Sequence, residues 1–430
     1  MSTETKKSLV PKLRFPEFRG TEGWQTEPMG NVYSFKGNNS LSRDKLNYAA
    51  GSVKNIHYGD IHTKFASHFD ITQELVPFIN VSELGVVRED NFCEEGDMVF
   101  ADASEDMADI GKSVEIVRLN GQRLVSGLHT ILARPKDERI ALGFSGHLFK
   151  SGWIRTQIQK EAQGAKVLGI SATRLRSLRL SLPKDRVEQQ KIADCLSSLD
   201  ELIAAQARKV EALKTHKKGL MQQLFPREGE TQPRLRFPEF HDAEQWGGSS
   251  FGAAATFLNG RAYAQEELLE IGKYRVLRVG NFFSNKFWYY SNLELEDSKY
   301  CDDGDLLYAW SASFGPRIWS GEKVVYHYHI WKVIPSNCVD KNFLFILLDY
   351  ETEKMKSQSA NGLGLMHITK GAIESWKCSI PKPPEQKRIA DCLISLDNFI
   401  TAANQELDTL NTHKKGLMQQ LFPSSEAVEA

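Results

Sequence analysis

The feature that most limits what this chain can fold into is that it contains the same half-molecule twice. The segment THKKGLMQQLFP fills Thr215–Pro226 and returns unchanged at Thr412–Pro423. At the same offset Glu188-Gln189 answers Glu385-Gln386, and Ile192–Leu196 answers Ile389–Leu393. Leu199-Asp200 matches Leu396-Asp397, and Ile203 matches Ile400. A second block opens each half: Leu13–Phe18 (LRFPEF) returns as Leu235–Phe240, followed at equal spacing by Trp24 and Trp246. The order is therefore short block, variable region, helix block, and then all three again. This period is far longer than that of solenoid repeats, so a whole structural unit has been duplicated. One compact core is excluded by length as well, because 430 residues exceed what a single domain usually holds.

The two variable regions differ in sequence but share a skeleton. Gly59-Asp60 parallels Gly280-Asn281, and Gly96-Asp97 parallels Gly304-Asp305, each ahead of an apolar run. His129 parallels His329, and Gly164 with Ile170-Ser171 parallels Gly362 with Ile368-Thr369. Short apolar runs such as Leu306–Tyr308 and Val324–Tyr328, set between glycines and acidic turns, read as strands. Gly143–Lys160 and Asn342–Lys356 read as helices. Two copies of one α/β unit have diverged in their loops.

The helix blocks carry apolar residues at Ile192, Leu196, Leu199, Ile203, Val210, Leu213, Leu220 and Leu224. Their alternating spacing of three and four is that of a heptad seam, interrupted by the polar Gln206 and Lys217. The second copy repeats the phase from Ile389 to Leu421. Asp185 and Glu188 suggest a capping box, and Pro383-Pro384 suit a first turn. Gly219 and Gly416 are expected to weaken the helices and could shorten them. One such stripe would be an ordinary core helix. Two in phase, each too long for a compact core, point to an antiparallel coiled-coil-like pair with one variable domain at either end.

The expected fold is thus α/β (α+β), with two similar variable domains separated by two long antiparallel helices in a pseudo-two-fold internal repeat. The expected divisions are 1–183 for the opening segment and first domain, 184–226 for the central helix, and 227–381 for a linker and the second domain. The distal helix takes 382–423 and a tail 424–430.

Six scattered cysteines without CxxC spacing indicate neither a zinc site nor a disulfide framework. No apolar run could span a bilayer, and no secretory signal opens the chain, so a reduced, cytoplasmic protein is expected. Enzymatic signatures are missing. Gly111-Lys112-Ser113 lacks the earlier glycine of a phosphate loop, since position 106 is Asp106. There is no glycine-rich dinucleotide turn, and no Asn-Pro-Pro or Asp-Pro-Pro of an amino-methyltransferase. His129 and His329 sit in apolar contexts and read as satisfied core histidines. Asp97 and Asp305 read as turn formers, and Glu94-Glu95 and Asp302-Asp303 as solvated pairs.

What remains suits binding. The first variable region offers Lys36, Asn38, Asn39, Arg43, Lys45, His57, Tyr58, His62, Lys64 and Lys112. The second offers Lys286 through Tyr290, then Trp310, Ser311, Ser313, Arg317, Trp319 and Lys323. Basic residues mixed with Asn, Ser and aromatics can grip phosphates and read base edges. The DNA-contact candidates are Arg43, Lys45, His62, Lys64, Lys112, Lys286, Trp310, Ser311, Ser313, Arg317 and Lys323; Phe287 and Trp319 are assigned to the core. The net charge of −1 lacks the usual basic surplus of a protein that binds DNA alone. The verbatim repeat, with Lys217, Lys218 and Gln222 answering Lys414, Lys415 and Gln419, suggests two equivalent docking sites for one partner species.

In these residues the chain resembles the specificity (S) subunit of type I restriction–modification enzymes. The resemblance rests on the duplicated Glu-Gln-x-[Lys/Arg]-Ile-Ala-x-Cys-Leu block, Glu188–Leu196 and Glu385–Leu393, with Pro183 and Pro381 just before it, and covers nearly the whole chain. Tyr58–Thr63 with Val99–Ser113, and Leu306–Pro316 with Tyr328–Trp331, look like two recognition-domain types. The resemblance implies that each domain reads half of a split double-stranded DNA target and that the paired helices fix the unread spacer. It implies that the repeated blocks dock two methyltransferase (M) subunits, which carry S-adenosylmethionine and methylate adenine N6. It further implies restriction (R) subunits using ATP and magnesium, and no catalytic residue, cofactor or metal in this chain. Shared phosphate contacts would then account for the neutral charge. The rivals are a self-sufficient nuclease or methyltransferase, which the missing motifs disfavour, and a coiled-coil scaffold carrying two protein-binding domains.

Overall fold

A computed structural model describes residues 9–227, 229–283, 286–311, 314–359 and 367–423. The chain divides into two compact units, one of residues 1–207 with 405–430 and the other of residues 208–404. Two helices of 39 residues, Arg186–Leu224 and Pro383–Leu421, each contribute one half to each unit. Gly219 and Gly416 do not end them. A methyl group built at either glycine meets no atom within 4 Å, so a continuous exposed helix tolerates the weak residue.

In the first unit the halves run antiparallel. Asp200 is ion-paired with Lys414, and the Gln206 amide donates to Glu406 Oε2 at 2.9 Å. In the second, Lys217 Nζ lies 2.6 Å from Asp397 Oδ1. The polar interruptions of the heptad seam are thus filled by partners on the facing helix. Ile192, Leu196 and Leu199 are buried in the first unit, and Leu224, Ile389 and Leu393 in the second.

The two units build related sheets that differ at their edges. In the first, Tyr33–Lys36, Thr130–Pro135, Met98–Ala101, Ser113–Arg118 and His68–Asp70 form five strands in that order. Its counterpart orders Ala255–Asn259, Ile330–Pro335, Leu306–Ala309 and Gly315–Ile318. A second sheet in each holds one parallel pair, Val53–Ile56 with Arg123–Ser126 and Tyr274–Leu277 with Val324–Tyr326. A two-stranded antiparallel ribbon closes each domain, Gln25–Pro28 on Arg179–Leu182 and Gly247–Ser250 on Lys377–Ile380. The fold is therefore mixed α/β, with an internal repeat. The expected helix over Gly143–Lys160 is two, Phe144–Leu148 and Gly152–Glu161, because Ser151 is extended (ψ 146°). The helix near Asn342 runs Lys341–Ser359.

The repeated sequence blocks meet each other inside each unit. Glu188 makes no capping box; Asp185 caps alone, accepting from Val187 N at 2.8 Å. The buried Glu188 carboxylate instead takes Arg14 Nε and Nη2 at 2.7 and 2.6 Å, and Trp24 Nε1 at 3.2 Å. Glu385 takes Arg236 Nε and Nη2, both at 2.7 Å, and Trp246 Nε1 at 3.2 Å. The neighbouring glutamine ties each domain to its helix. Gln189 bridges Pro183 O, Arg139 O and Ala141 N, and Gln386 bridges Pro381 O, Cys338 O and Asp340 N. The helix ends complete the pattern. Leu13 N donates to Gln420 O and Leu235 N to Gln223 O, each at 2.9 Å. Phe422 and Phe225 pack edge-on against Trp24 and Trp246 at 6.0 and 6.2 Å. Much of the verbatim repeat is thus explained by packing.

Candidate nucleic-acid interface

In each domain the first strand of the parallel pair delivers a short helix, Tyr58–Thr63 or Val279–Phe283. Beside it lies the turn of His129 or His329, fixed by matching backbone bonds. Gly127 N donates to Ile56 O at 2.8 Å, and His327 N to Leu277 O at 2.9 Å. Asp102 N then donates to His129 O at 3.1 Å, as Trp310 N does to His329 O at 3.0 Å. Ile170 N and Ile368 N donate to Asp102 O and Trp310 O, at 2.9 and 3.1 Å. The two faces share a backbone and differ in side chains.

The first face is polar. Asp60, 1% exposed, accepts from both Arg43 Nη2 and Lys64 Nζ at 3.0 Å, while each cation stays about half exposed. A buried carboxylate thereby tethers two surface cations. His57 Nδ1 accepts from Gly59 N, capping the short helix, and lies 3.2 Å from Arg43 Nη2. Burial, then the Arg43 charge, push the His57 pKa below its ordinary value. His62 Nε2 donates to Ala103 O at 2.9 Å, and Lys112 Nζ to His62 O at 2.6 Å. Lys45 pairs with Glu83 at 3.1 Å. An open groove of about 690 Å³ borders this face, lined by Lys36, Asn38, Asp102 and His129 among others. Asn39 is buried, bonded to Asn55 Oδ1 and Ser126 O, and serves the core.

The second face is aromatic. Trp310 stacks on Trp331 at 5.8 Å and donates its Nε1 to Tyr328 O at 2.7 Å. Arg317 lies 5.5 and 5.9 Å from the rings of Phe282 and Phe283, and Lys323 4.6 Å from that of Tyr300. Lys286 is exposed. Ser311 forms an isolated bridge with His367. Ser313 lies outside the described residues. Arg278, Asn281, Phe287, His327 and His329 line a cavity of about 220 Å³. Burial and the neighbouring His329 push the His327 pKa down to about 4, and burial lowers that of His329.

Three readings of the sequence are corrected. His129 is no core histidine: its side chain is 52% exposed, held at the surface by Asp102. His329 is only half-buried. Phe287 is 58% exposed instead of in the core; Trp319 does pack on a core cluster. Each histidine is the second residue of a turn that leads into a strand; the next residue, Thr130 or Ile330, is buried and the histidine is not. Asp97 and Asp305 do form turns, accepting from Glu94 N and Asp302 N, and each also holds a cation, Arg134 or Lys332. Asp102 and Arg278 were missed. Their signal was the duplication itself, since matching Gly59 to Gly280 places Arg278 opposite His57.

Of the repeated helix residues, Lys218, Gln222, Lys415 and Gln419 are exposed. Lys217 and Lys414 are turned toward the facing helix, 19% and 14% exposed in their ion pairs. Among the described residues one cluster has metal-ligand spacing, His68, His147 and Asp200. Lys414 already pairs with Asp200, and His68 Nε2 donates to Gly143 O, so those ligands are engaged. No helix among the described residues is long and apolar enough to cross a membrane.

Comparison with known proteins bears on the family and the fold. The family model described as "Type I restriction modification DNA specificity domain" matches residues 21–215 and 244–412. The chain is 26% identical over 418 residues to the putative type I restriction enzyme MjaX specificity subunit of Methanocaldococcus jannaschii, covering 93% of both. It is 30% identical over 195 residues to the type I restriction enzyme MjaVIII specificity subunit of the same organism; that match spans 43% of this chain and 44% of the relative. In fold it resembles the S subunit of a type I restriction-modification system from M. genitalium, with a TM-score of 0.57 and 17% identity, covering 97% of this chain and all of that one. A chain solved in a study of complex assembly and conformational transition of the type I R-M system matches equally, with a TM-score of 0.57, 15% identity, and 94% and 98% coverage. Two matched specificity domains, which together span most of the sequence, place the chain in the family of type I restriction–modification DNA specificity subunits.

Proposed function

We propose that the two domains read the two halves of a bipartite, asymmetric double-stranded DNA target, and that the paired helices set the unread spacer between them. The observation that carries this reading is one recognition turn built twice on the same backbone bonds with unlike side chains around it. Two copies of one reader with different surfaces suit two different half-sites. Arg43, Lys64, Lys286, Arg317 and Lys323 supply phosphate and base contacts, with Lys45, His62, Lys112, Trp310, Ser311 and Ser313 beside them. Joining the readers makes the second contact intramolecular and raises its effective concentration.

The repeated helix blocks dock two methyltransferase subunits. Lys218, Gln222, Lys415 and Gln419 make the contact, while Lys217 and Lys414 hold the helix pair in place beneath it. Those subunits bring S-adenosylmethionine and methylate adenine N6. Restriction subunits bring ATP and magnesium and cut unmethylated DNA. This chain contributes recognition without catalysis, in the cytoplasm. Shared phosphate contacts account for the net charge of −1.

The test is a domain exchange. The chain is assembled with its methyltransferase and selected against randomised duplex DNA, before and after its second domain is replaced by that of a relative. A split motif in which only one half changes supports the reading. An assembled, soluble complex that retains no DNA favours a scaffold with two protein-binding domains.

A further inference from the structure

We propose that His129 and His329 are the specificity-determining side chains of the two domains, each presenting its imidazole to a base edge of its own half-site. This rests on the DNA reading above and deepens it to single residues.

Position is the first argument. The two histidines are equivalent by backbone bonding, since each carbonyl accepts from the residue that ends the central strand, Asp102 or Trp310. The residues flanking them in sequence, and the one that bonds each carbonyl, have diverged: Leu128 against Tyr328, Thr130 against Ile330, and Asp102 against Trp310. A histidine kept at a turn whose neighbours have all changed is not there to fit those neighbours.

Backbone and exposure are the second. His129 has φ +55°, one of two positive-φ residues other than glycine among the described residues, the other being Asn120. A side chain is uncommon in that region, and glycine would fold there with less strain. Such strain gathers at functional sites. Its ring is half exposed and beds edge-on against Tyr58 at 5.3 Å. It borders the groove shared with Lys36 and Asn38. His329 borders the smaller cavity with Arg278 and Asn281 and lies 4.9 Å from Trp310.

The chemistry follows from the partners. His129 Nδ1 lies 3.2 Å from Asp102 Oδ1. A carboxylate there accepts from Nδ1–H, so in the neutral ring Nε2 carries the lone pair. That atom accepts from an exocyclic amine, the N6 of adenine or the N4 of cytosine in the major groove. Trp310 stands at the position of Asp102 in the second domain and fixes no such tautomer, so the two histidines read different edges.

The test uses the full complex with the methyltransferase, selected on randomised duplex DNA. His129→Gly removes the imidazole while suiting the positive φ, so it keeps the fold; His329→Ala is its counterpart, with circular dichroism melting to confirm folding. The expected result is a preference lost at one base pair of one half for His129→Gly, and of the other half for His329→Ala. Each loss should be roughly 5- to 100-fold, the range of a single mismatched pair. Folded variants that select the wild-type motif with unchanged discrimination overturn the proposal, and so does either variant altering both halves. A wild-type complex that selects no split motif refutes the DNA reading itself, independently of the histidines.

Discussion

Replacing Glu188 by alanine tests whether the repeated blocks act as the fastening between opening segment and helix. The carboxylate is 1% exposed and its partner Arg14 7%. Removing it leaves a guanidinium and the Trp24 indole N–H without their acceptor in a dry interior. Arg14 retains only the Thr21 and Glu22 carbonyls, at 3.2 and 3.1 Å. Breaking one side of a buried pair costs about 3–5 kcal/mol. For a unit of this size each kcal/mol lowers the melting temperature by about 2–4 °C, so a fall of roughly 6–20 °C is expected. Glu385→Ala should do the same in the second unit, where Arg236 and Glu385 are 12% and 2% exposed. The double variant Arg14→Met/Glu188→Leu removes both charges at once and should recover most of the loss, because a buried pair adds little over apolar packing. Calorimetry on the purified chain reads all of these. A Glu188→Ala variant within about 1 kcal/mol of wild type, or a double variant as weak as the single, would refute the reasoning.

Acid should weaken the first unit. Burial, then the charge of His68, hold the His147 pKa down to about 2, and burial lowers that of His68. The unfolded chain then binds these protons first, so stability present above pH 6.5 is lost as the pH falls below it. The loss from His147 alone is about 1 kcal/mol at pH 5.5, and His68 adds to it in the same direction. Urea midpoints at pH 7.5 and 5.5 measure it, and His147→Phe should flatten the difference. Gly219→Ala and Gly416→Ala should each stabilise the chain by about 0.5–1 kcal/mol, since the added methyl meets open space. If the methyltransferase presses on that face, the same variants weaken assembly in a binding titration. Lys217→Met should cost under about 1 kcal/mol, its partner being partly solvated. Lys218→Glu with Lys415→Glu should leave melting unchanged and weaken assembly.

The duplication was legible because it is written in identical residues, and the long helices because a heptad stripe survives in both copies. The strands around Leu306 and Val324 were legible from short apolar runs. Long-range pairing was not. Glu188 looked like a capping residue because Glu three places after Asp185 fits a local motif, whereas Arg14 lies far away in sequence. Lys217 and Lys414 were read as docking residues because a lysine in a seam carries no mark of the aspartate facing it. His129 looked buried because its neighbours are apolar, but it stands in a turn at the start of a strand, where its ring is half exposed and bonded to Asp102. Recognition surfaces escape sequence reading for the same reason: they are assembled from loops by the sheet beneath, and only matching the two copies reveals them.

The most direct measurement is a methylation map. This chain is co-expressed with its methyltransferase in a host free of such methylation, and N6-methyladenine is located across the genome. The account predicts one motif of two short specific halves around a fixed unread gap. A continuous short motif, or no methylation from a soluble, assembled complex, would contradict it.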